Sequence, residues 1–219
     1  MGLLDRFRRS DPPVSTVDRW LVVGLGNPEA EYAGTRHNVG ADTVRLLARR
    51  LGASFKPHKA KAQIADTFLR SGGDAGSPPG GTPLSLCLAF GYYNAAGGPV
   101  QATMAFYKIP HERLIVVHDD IDLALGTVRL KRGGGTGGNK GLASIQQRTG
   151  GADFLRVRIG IGRPPGRQSA ADYVLKRFAA KERAEADIAI ERAADAVLDL
   201  VTEDLETAQN RHHQRGSRR

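Results

Sequence analysis

Short, continuously apolar runs punctuate this 219-residue chain and set its rhythm. Leu21 to Val23, Leu84 to Phe90 and Leu114 to Val117 are too brief for helices and carry no polar alternation, so they predict strands covered on both faces. Leu155 to Ile161 alternates instead, with Val157, Ile159 and Ile161 on one face and Arg156 and Arg158 on the other. Gln63 to Leu69 and Val128 to Lys131 add two shorter strands. Between them the period changes. Val44, Leu47 and Leu51 recur at helical intervals, with Arg45, Arg49 and Arg50 on the outer side. Pro99 suits the first turn of a helix carrying Val100, Met104 and Tyr107, and Leu142 to Arg148 reads as a short helix. Ala180 to Val201 forms a long one, with Ile190, Ala194, Val197 and Val201 as its buried stripe. Strands alternating with helices predict an α/β sandwich, and the Gly- and Pro-rich stretch Ser71 to Pro83 predicts a hairpin-type return that makes the sheet mixed.

Length then favours one domain with a real core. The expected division is a flexible extension over 1–18, the folded domain over 19–210 and a basic, disordered tail over 211–219. Cys87, the only cysteine, lies inside an apolar run and reads as a small core residue, which excludes an internal disulfide. The first residues are too charged for a signal peptide and no run reaches membrane-spanning length, so a cytoplasmic protein is expected. Of the net charge of +9, residues 1–11 carry +1 and residues 211–219 carry +4, leaving +4 on the body. A polyanionic partner fits that balance without being required by it.

Polar chemistry gathers where strands end. After Leu21 to Val23 the chain breaks at Gly24, Gly26 and Pro28 and then presents Asn27, Tyr32, Thr35, Arg36, His37 and Asn38 before the next helix. His37 falls near that helix's N-terminus, where the partial positive charge favours the neutral imidazole that a general base requires; a capping role is the competing reading. Asn94 again lies between a strand and a helix, and His118, Asp119, Asp120 and Asp122 follow the third buried run. In an open α/β sheet, groups beyond the carboxyl ends of strands converge, which would bring His37, Asn94 and Asp119 together.

Several chemistries are excluded. A dinucleotide fingerprint starting at Gly24 would need its third glycine at Glu29, whose carboxylate opposes a pyrophosphate, and Pro28 removes a backbone donor. The run Gly133 to Gly138 is not a P-loop, because Asn139 stands in place of the glycine before Lys140 and Gly141 in place of Ser or Thr. GxSxG and HExxH patterns are absent. Asp119, Asp120 and Asp122 lack a second carboxylate group at a matching strand end, so no metal or other cofactor is expected.

The runs LVVGLGNPEAEYAGTRHNVG, HDDIDLALGTVRLKRGGGTGG and FLRVRIGIGRP, with AQNRHH near the end, resemble bacterial peptidyl-tRNA hydrolases from Trp20 to His212. The resemblance implies a monomeric α/β/α sandwich around a twisted mixed sheet, cleaving the ester between a peptide and the terminal ribose of tRNA. It implies His37 as the base that activates water and Asp119 as the carboxylate that orients it. Asn27 and Asn94 would hold the peptide and its ester carbonyl, and Tyr32 would lie near the ribose. Lys131 and Arg158 resemble a clamp on the terminal phosphate. Arg129 with Lys131, and Arg156 with Arg158, are pairs at strand spacing, so each pair puts two cations on one face.

Four positions depart from the family pattern. Glu29 replaces a glycine, Tyr93 stands where methionine is common, and Asn139 with Lys140 replaces a His-Asn pair that touches the substrate and a water. Tyr93, Asn139 and Lys140 therefore enter the expected substrate side of the site. Two further readings remain open from the sequence: a catalytically weakened paralogue that binds tRNA or structured RNA, and an esterase of small molecules.

Overall fold

The computed structural model describes residues 18–70 and 81–213. In chain order the elements are β1 (Trp20–Gly24), α1 (Glu29–Tyr32), α2 (Val39–Arg50), β2 (Lys56–His58), β3 (Ala62–Leu69), β4 (Thr82–Ala89), α3 (Gly97–Tyr107), β5 (Leu114–Asp120), β6 (Val128–Arg132), α4 (Lys140–Thr149), β7 (Leu155–Gly160), α5 (Ala170–Val174), α6 (Ala180–Thr202) and α7 (Leu205–His213). Short 3-10 turns at Arg36–Asn38 and Tyr93–Ala95 lead into α2 and α3.

One seven-stranded sheet runs in the order β2-β3-β4-β1-β5-β7-β6. Its centre is parallel, β1 pairing with β4 and β5, and β5 with β7. The margins are antiparallel, β2 with β3, β3 with β4, and β6 with β7. The sheet is therefore mixed, and the return expected around Ser71 to Pro83 joins β3 to β4; positions 71–80 of that stretch lie outside the described residues. The parallel strands all end on one edge, where Gly24, Ala89, Asp120 and Gly160 lie.

Helices cover both faces and produce two apolar cores. On one side Val22, Leu86, Ile115 and Val117 pack with Val44 and Leu47 of α2 and with Ala193 and Val197 of α6. On the other, Leu21, Val23, Cys87 and Val116 pack with Val100 and Met104 of α3 and Leu142 and Ile145 of α4. That is the α/β/α sandwich, and the alternation of Leu21, Val22 and Val23 between the two cores explains why β1 carries no polar residue.

The structure departs from the sequence reading in several elements, β5, β2 and α7 among them. β5 continues through His118 and Asp119 to Asp120, because β7 keeps pairing with it as far as Gly160. β2 escaped notice because Lys56, Pro57 and His58 carry no apolar alternation; it is an exposed edge strand. The domain also does not stop at Asn210. α7 runs to His213, where Arg211 and His212 both hold Asp199, at 2.7 Å each, so a disordered tail from 211 is incorrect for these three residues. Positions 214–219 of the expected tail, and 1–17 of the expected extension, lie outside the described residues.

Candidate active site

Two glycines bring the start of α2 onto the sheet. A Cβ at Gly40 would sit 2.2 Å from the Val117 carbonyl oxygen, and one at Gly24 would sit 2.5 Å from that of Gly40. With hydrogen in both places, Leu25 N–H donates to Val117 O and Ala41 N–H donates to Leu25 O, each at 3.0 Å. The turn carrying His37 is thereby laid over the end of β5.

There His37 Nδ1 lies 2.9 Å from Asp119 Oδ1. A carboxylate only accepts, so Nδ1 carries a proton, and in the neutral ring Nε2 is the nitrogen that keeps the lone pair. Nε2 makes no hydrogen bond among the described residues, and the side chain keeps 17% exposure. Asp119 is buried within β5. Burial alone would raise its carboxyl; the His37 ring, the Tyr93 hydroxyl and the nearby His118 outweigh that and hold it below the ordinary carboxylate value. The remaining two acids of the run are engaged elsewhere, Asp120 by Arg158 and Asp122 by Arg163. No group of three or more His, Cys, Asp or Glu suited to a metal occurs among the described residues.

Asn27 is fixed from two sides. Its backbone N–H donates to Asn38 Oδ1 at 2.8 Å and its carbonyl accepts from Asn38 Nδ2 at 3.1 Å. Its own Oδ1 accepts the Tyr93 N–H at 2.9 Å, which orients the amide so that its NH2 is free to donate. Asn38 is fully buried and holds this arrangement from behind; its position directly after His37 is the only sequence signal for that role. Asn94 lies one residue beyond Tyr93, exposed and without a hydrogen bond among the described residues. The expected convergence of His37, Asn94 and Asp119 is thus met by Tyr93 rather than Asn94 at the contact itself. Tyr32 ends α1, half-buried, its hydroxyl unbonded among the described residues.

Arg36 ties the turn to the far end of the chain. Its guanidinium bonds Glu182 at 2.7 Å and the Arg177 carbonyl at 2.8 Å, and it sits over the rings of Tyr173 and Phe178. The sequence named Arg36 without assigning it this anchoring role, which depends on α5 and α6 more than 130 residues later.

On the β6–β7 margin, Lys131 pairs laterally with Arg156 and Arg129 with Arg158. The four cations share a face but not a fate. Arg156 is 2% exposed and donates to the carbonyls of Gly134 and Gly135 at 2.6 and 2.7 Å, so it supports the glycine loop from below. Arg156 and Arg158 do share one face, as their spacing predicts, but Arg156 is buried there. Arg158 uses Nε on Asp120 at 2.8 Å and keeps its outer nitrogens unbonded among the described residues. Lys131 makes no ion pair among the described residues and its Nζ lies beside Gly134.

Comparison with known proteins decides the family. The sequence model of the peptidyl-tRNA hydrolase family matches residues 21–219. The chain belongs to the peptidyl-tRNA hydrolase family. It is 50% identical over 194 residues to the Frankia alni peptidyl-tRNA hydrolase, covering 89% of this chain and 93% of that one. It is 49% identical to that of Streptomyces coelicolor over 197 residues, covering 89% and 94%. A crystal structure of peptidyl-tRNA hydrolase from Acinetobacter baumannii superposes with a TM-score of 0.77 at 35% identity, covering 91% of this chain and 96% of that one.

Within that family frame the departures acquire neighbours. Glu29 forms an ion pair with Arg45 of α2 at 3.2 Å. Asn139 caps α4, accepting from Leu142 N–H at 3.0 Å, and donates to the Tyr93 hydroxyl at 2.7 Å. Lys140 opens α4, exposed.

Proposed function

We propose that this chain hydrolyses the ester linking a peptide to the terminal ribose of tRNA, acting as a monomer in the cytoplasm without metal or cofactor. The observation that carries the reading is the His37–Asp119 contact at the carboxyl edge of the parallel strands, with Nε2 left open. Among the described residues no helix is long and apolar enough to cross a membrane.

In this reading His37 Nε2 takes a proton from water as the water oxygen attacks the ester carbonyl carbon. Asp119 holds the ring through Nδ1–H and stabilises the imidazolium that forms. The free NH2 of Asn27 donates to the developing oxyanion, and Asn94 contacts the peptide side. On collapse the ester C–O bond breaks, and the imidazolium returns its proton to the departing ribose oxygen. The products are a peptide acid and free tRNA. Lys131, Arg158 and Lys140 contact phosphate, and Tyr32 lies near the ribose; such contacts fix register without reading sequence, which suits an enzyme accepting many tRNAs.

The test is release of N-acetyl-amino acid from purified N-acetyl-aminoacyl-tRNA. Turnover that weakens as salt rises supports the reading. Tight tRNA binding without turnover would instead favour a binding paralogue, and salt-insensitive cleavage of small esters an esterase.

A further inference from the structure

Two of the positions that depart from the family pattern, 46 residues apart in the chain, touch each other, and one of them, Tyr93, touches the candidate catalytic pair. Tyr93 is 3% exposed, its ring stacked on the His37 imidazole with centroids 3.5 Å apart and planes 10° from parallel. Its hydroxyl lies 2.7 Å from Asp119 Oδ1, the same oxygen that takes His37 Nδ1–H.

The direction of each hydrogen bond follows from the chain itself. Asn139 Oδ1 is committed to Leu142 N–H, so its NH2 faces Tyr93 and the phenol oxygen accepts there. The phenol proton is then left for Asp119. Burial, and after it the charge of Asp119, push the phenol well above its ordinary value of 10, so it stays protonated and donates throughout the working range. Space for the ring comes from Gly141, where a Cβ would lie 2.5 Å from Tyr93 Cε1. Backbone placement comes from Asn27. Ring, hydroxyl and main chain of Tyr93 are thus each held by a different element.

We propose that Tyr93 is a positioning residue of the hydrolytic site, its ring fixing the His37 imidazole face-on while its hydroxyl, aimed by Asn139, holds the Asp119 carboxylate. This rests on the hydrolase reading above and replaces the direct substrate contact expected for Tyr93 from the sequence. A second donor on Oδ1 also draws charge away from the His37–Asp119 bond. The other charged or titratable groups acting on this unit are His118 and Asp120 of β5, the latter paired with Arg158 of β7.

The experiment compares the wild type with Tyr93→Phe, Tyr93→Leu and His37→Ala, all checked for folding by thermal unfolding. Tyr93→Phe keeps the stack and loses the donor. Its kcat falls roughly 3- to 10-fold with KM within about twofold, and the acid limb of kcat/KM moves to higher pH. In the same variant the His37 Nδ1–H resonance moves downfield, because Asp119 binds that proton more strongly. Tyr93→Leu loses the stack as well, and kcat falls about 100-fold.

A rise in KM at unchanged kcat would overturn the proposal in favour of a substrate contact. So would a Tyr93→Phe profile and resonance matching the wild type. If the wild type binds tRNA without releasing peptide, the hydrolase reading itself fails, and if His37→Ala hydrolyses as well as the wild type, His37 is not the base. The resonance then judges Tyr93 alone, and an unmoved signal refutes its hold on Asp119.

Discussion

Tyr93 N–H donates to Asn27 Oδ1 at 2.9 Å, and this single bond decides which end of the Asn27 amide faces the cleft. The acceptor is spent on the backbone, and the donor remains. Asn27→Asp keeps the acceptor and removes the donor while adding a negative charge beside a developing oxyanion. We expect kcat to fall by about 100-fold or more in the peptidyl-tRNA release assay, with thermal stability little changed.

Lys131 and Arg156 are lateral neighbours with opposite expected behaviour. Lys131→Ala removes a cation that makes no ion pair among the described residues. It should weaken tRNA binding uniformly across tRNAs and reduce the slope of log K against log salt by about 1. Arg156→Ala strips donors from the carbonyls of Gly134 and Gly135, of which only the former keeps a second donor among the described residues, from Gln146, and leaves a cavity over Phe154. Its effect should appear in urea unfolding, as a loss of about 2–4 kcal/mol.

His118 predicts a pH dependence of stability. It is buried, its Nδ1–H donates to the Asp119 carbonyl at 2.7 Å, and burial lowers it below its ordinary value of 6.5. The unfolded chain therefore binds this proton more readily than the folded one. Stability from the neutral ring is present above about pH 6.5 and is lost as pH falls below it, towards the folded value. Urea midpoints measured from pH 7 to pH 5 should fall less steeply in His118→Gln than in the wild type.

The end of the chain guards an edge. β6 is the last strand of the sheet, and its Leu130 N–H donates to His213 Nε2 while its carbonyl accepts from Gln209 Nε2. Both backbone groups of that residue are closed by α7, which covers an exposed strand edge of the kind that promotes association. Truncation after Asn210 should lower unfolding free energy by about 1–3 kcal/mol and raise the tendency to aggregate, measured by light scattering.

The layers of this fold were legible because apolar spacing is a local property. Val44, Leu47 and Leu51 repeat every turn, and each is buried against the sheet. The meeting of His37 with Asp119 was also readable, since both lie where parallel strands end. The contacts of Tyr93 with His37 and Asp119 were not readable. Its stacking depends on Gly141 clearing space and on Asn139 capping α4, contacts that no local pattern encodes. Arg156 and Arg158 show the same limit: strand alternation places both on one face, and only the glycine loop folded over one of them separates support from surface. α7 was not predicted at all, and its end beyond Asn210 read as a solvated tail because of its arginines and histidines, whereas Asp199 and Leu130 supply partners for Arg211, His212 and His213.

The most direct measurement is single-turnover release of N-acetyl-amino acid from its tRNA by the wild type, His37→Ala and Asp119→Asn, with tRNA affinity measured in parallel. Positioned general-base catalysis predicts losses of roughly 100- to 10,000-fold in both variants with affinity nearly unchanged. Release at wild-type rates by either variant would contradict it.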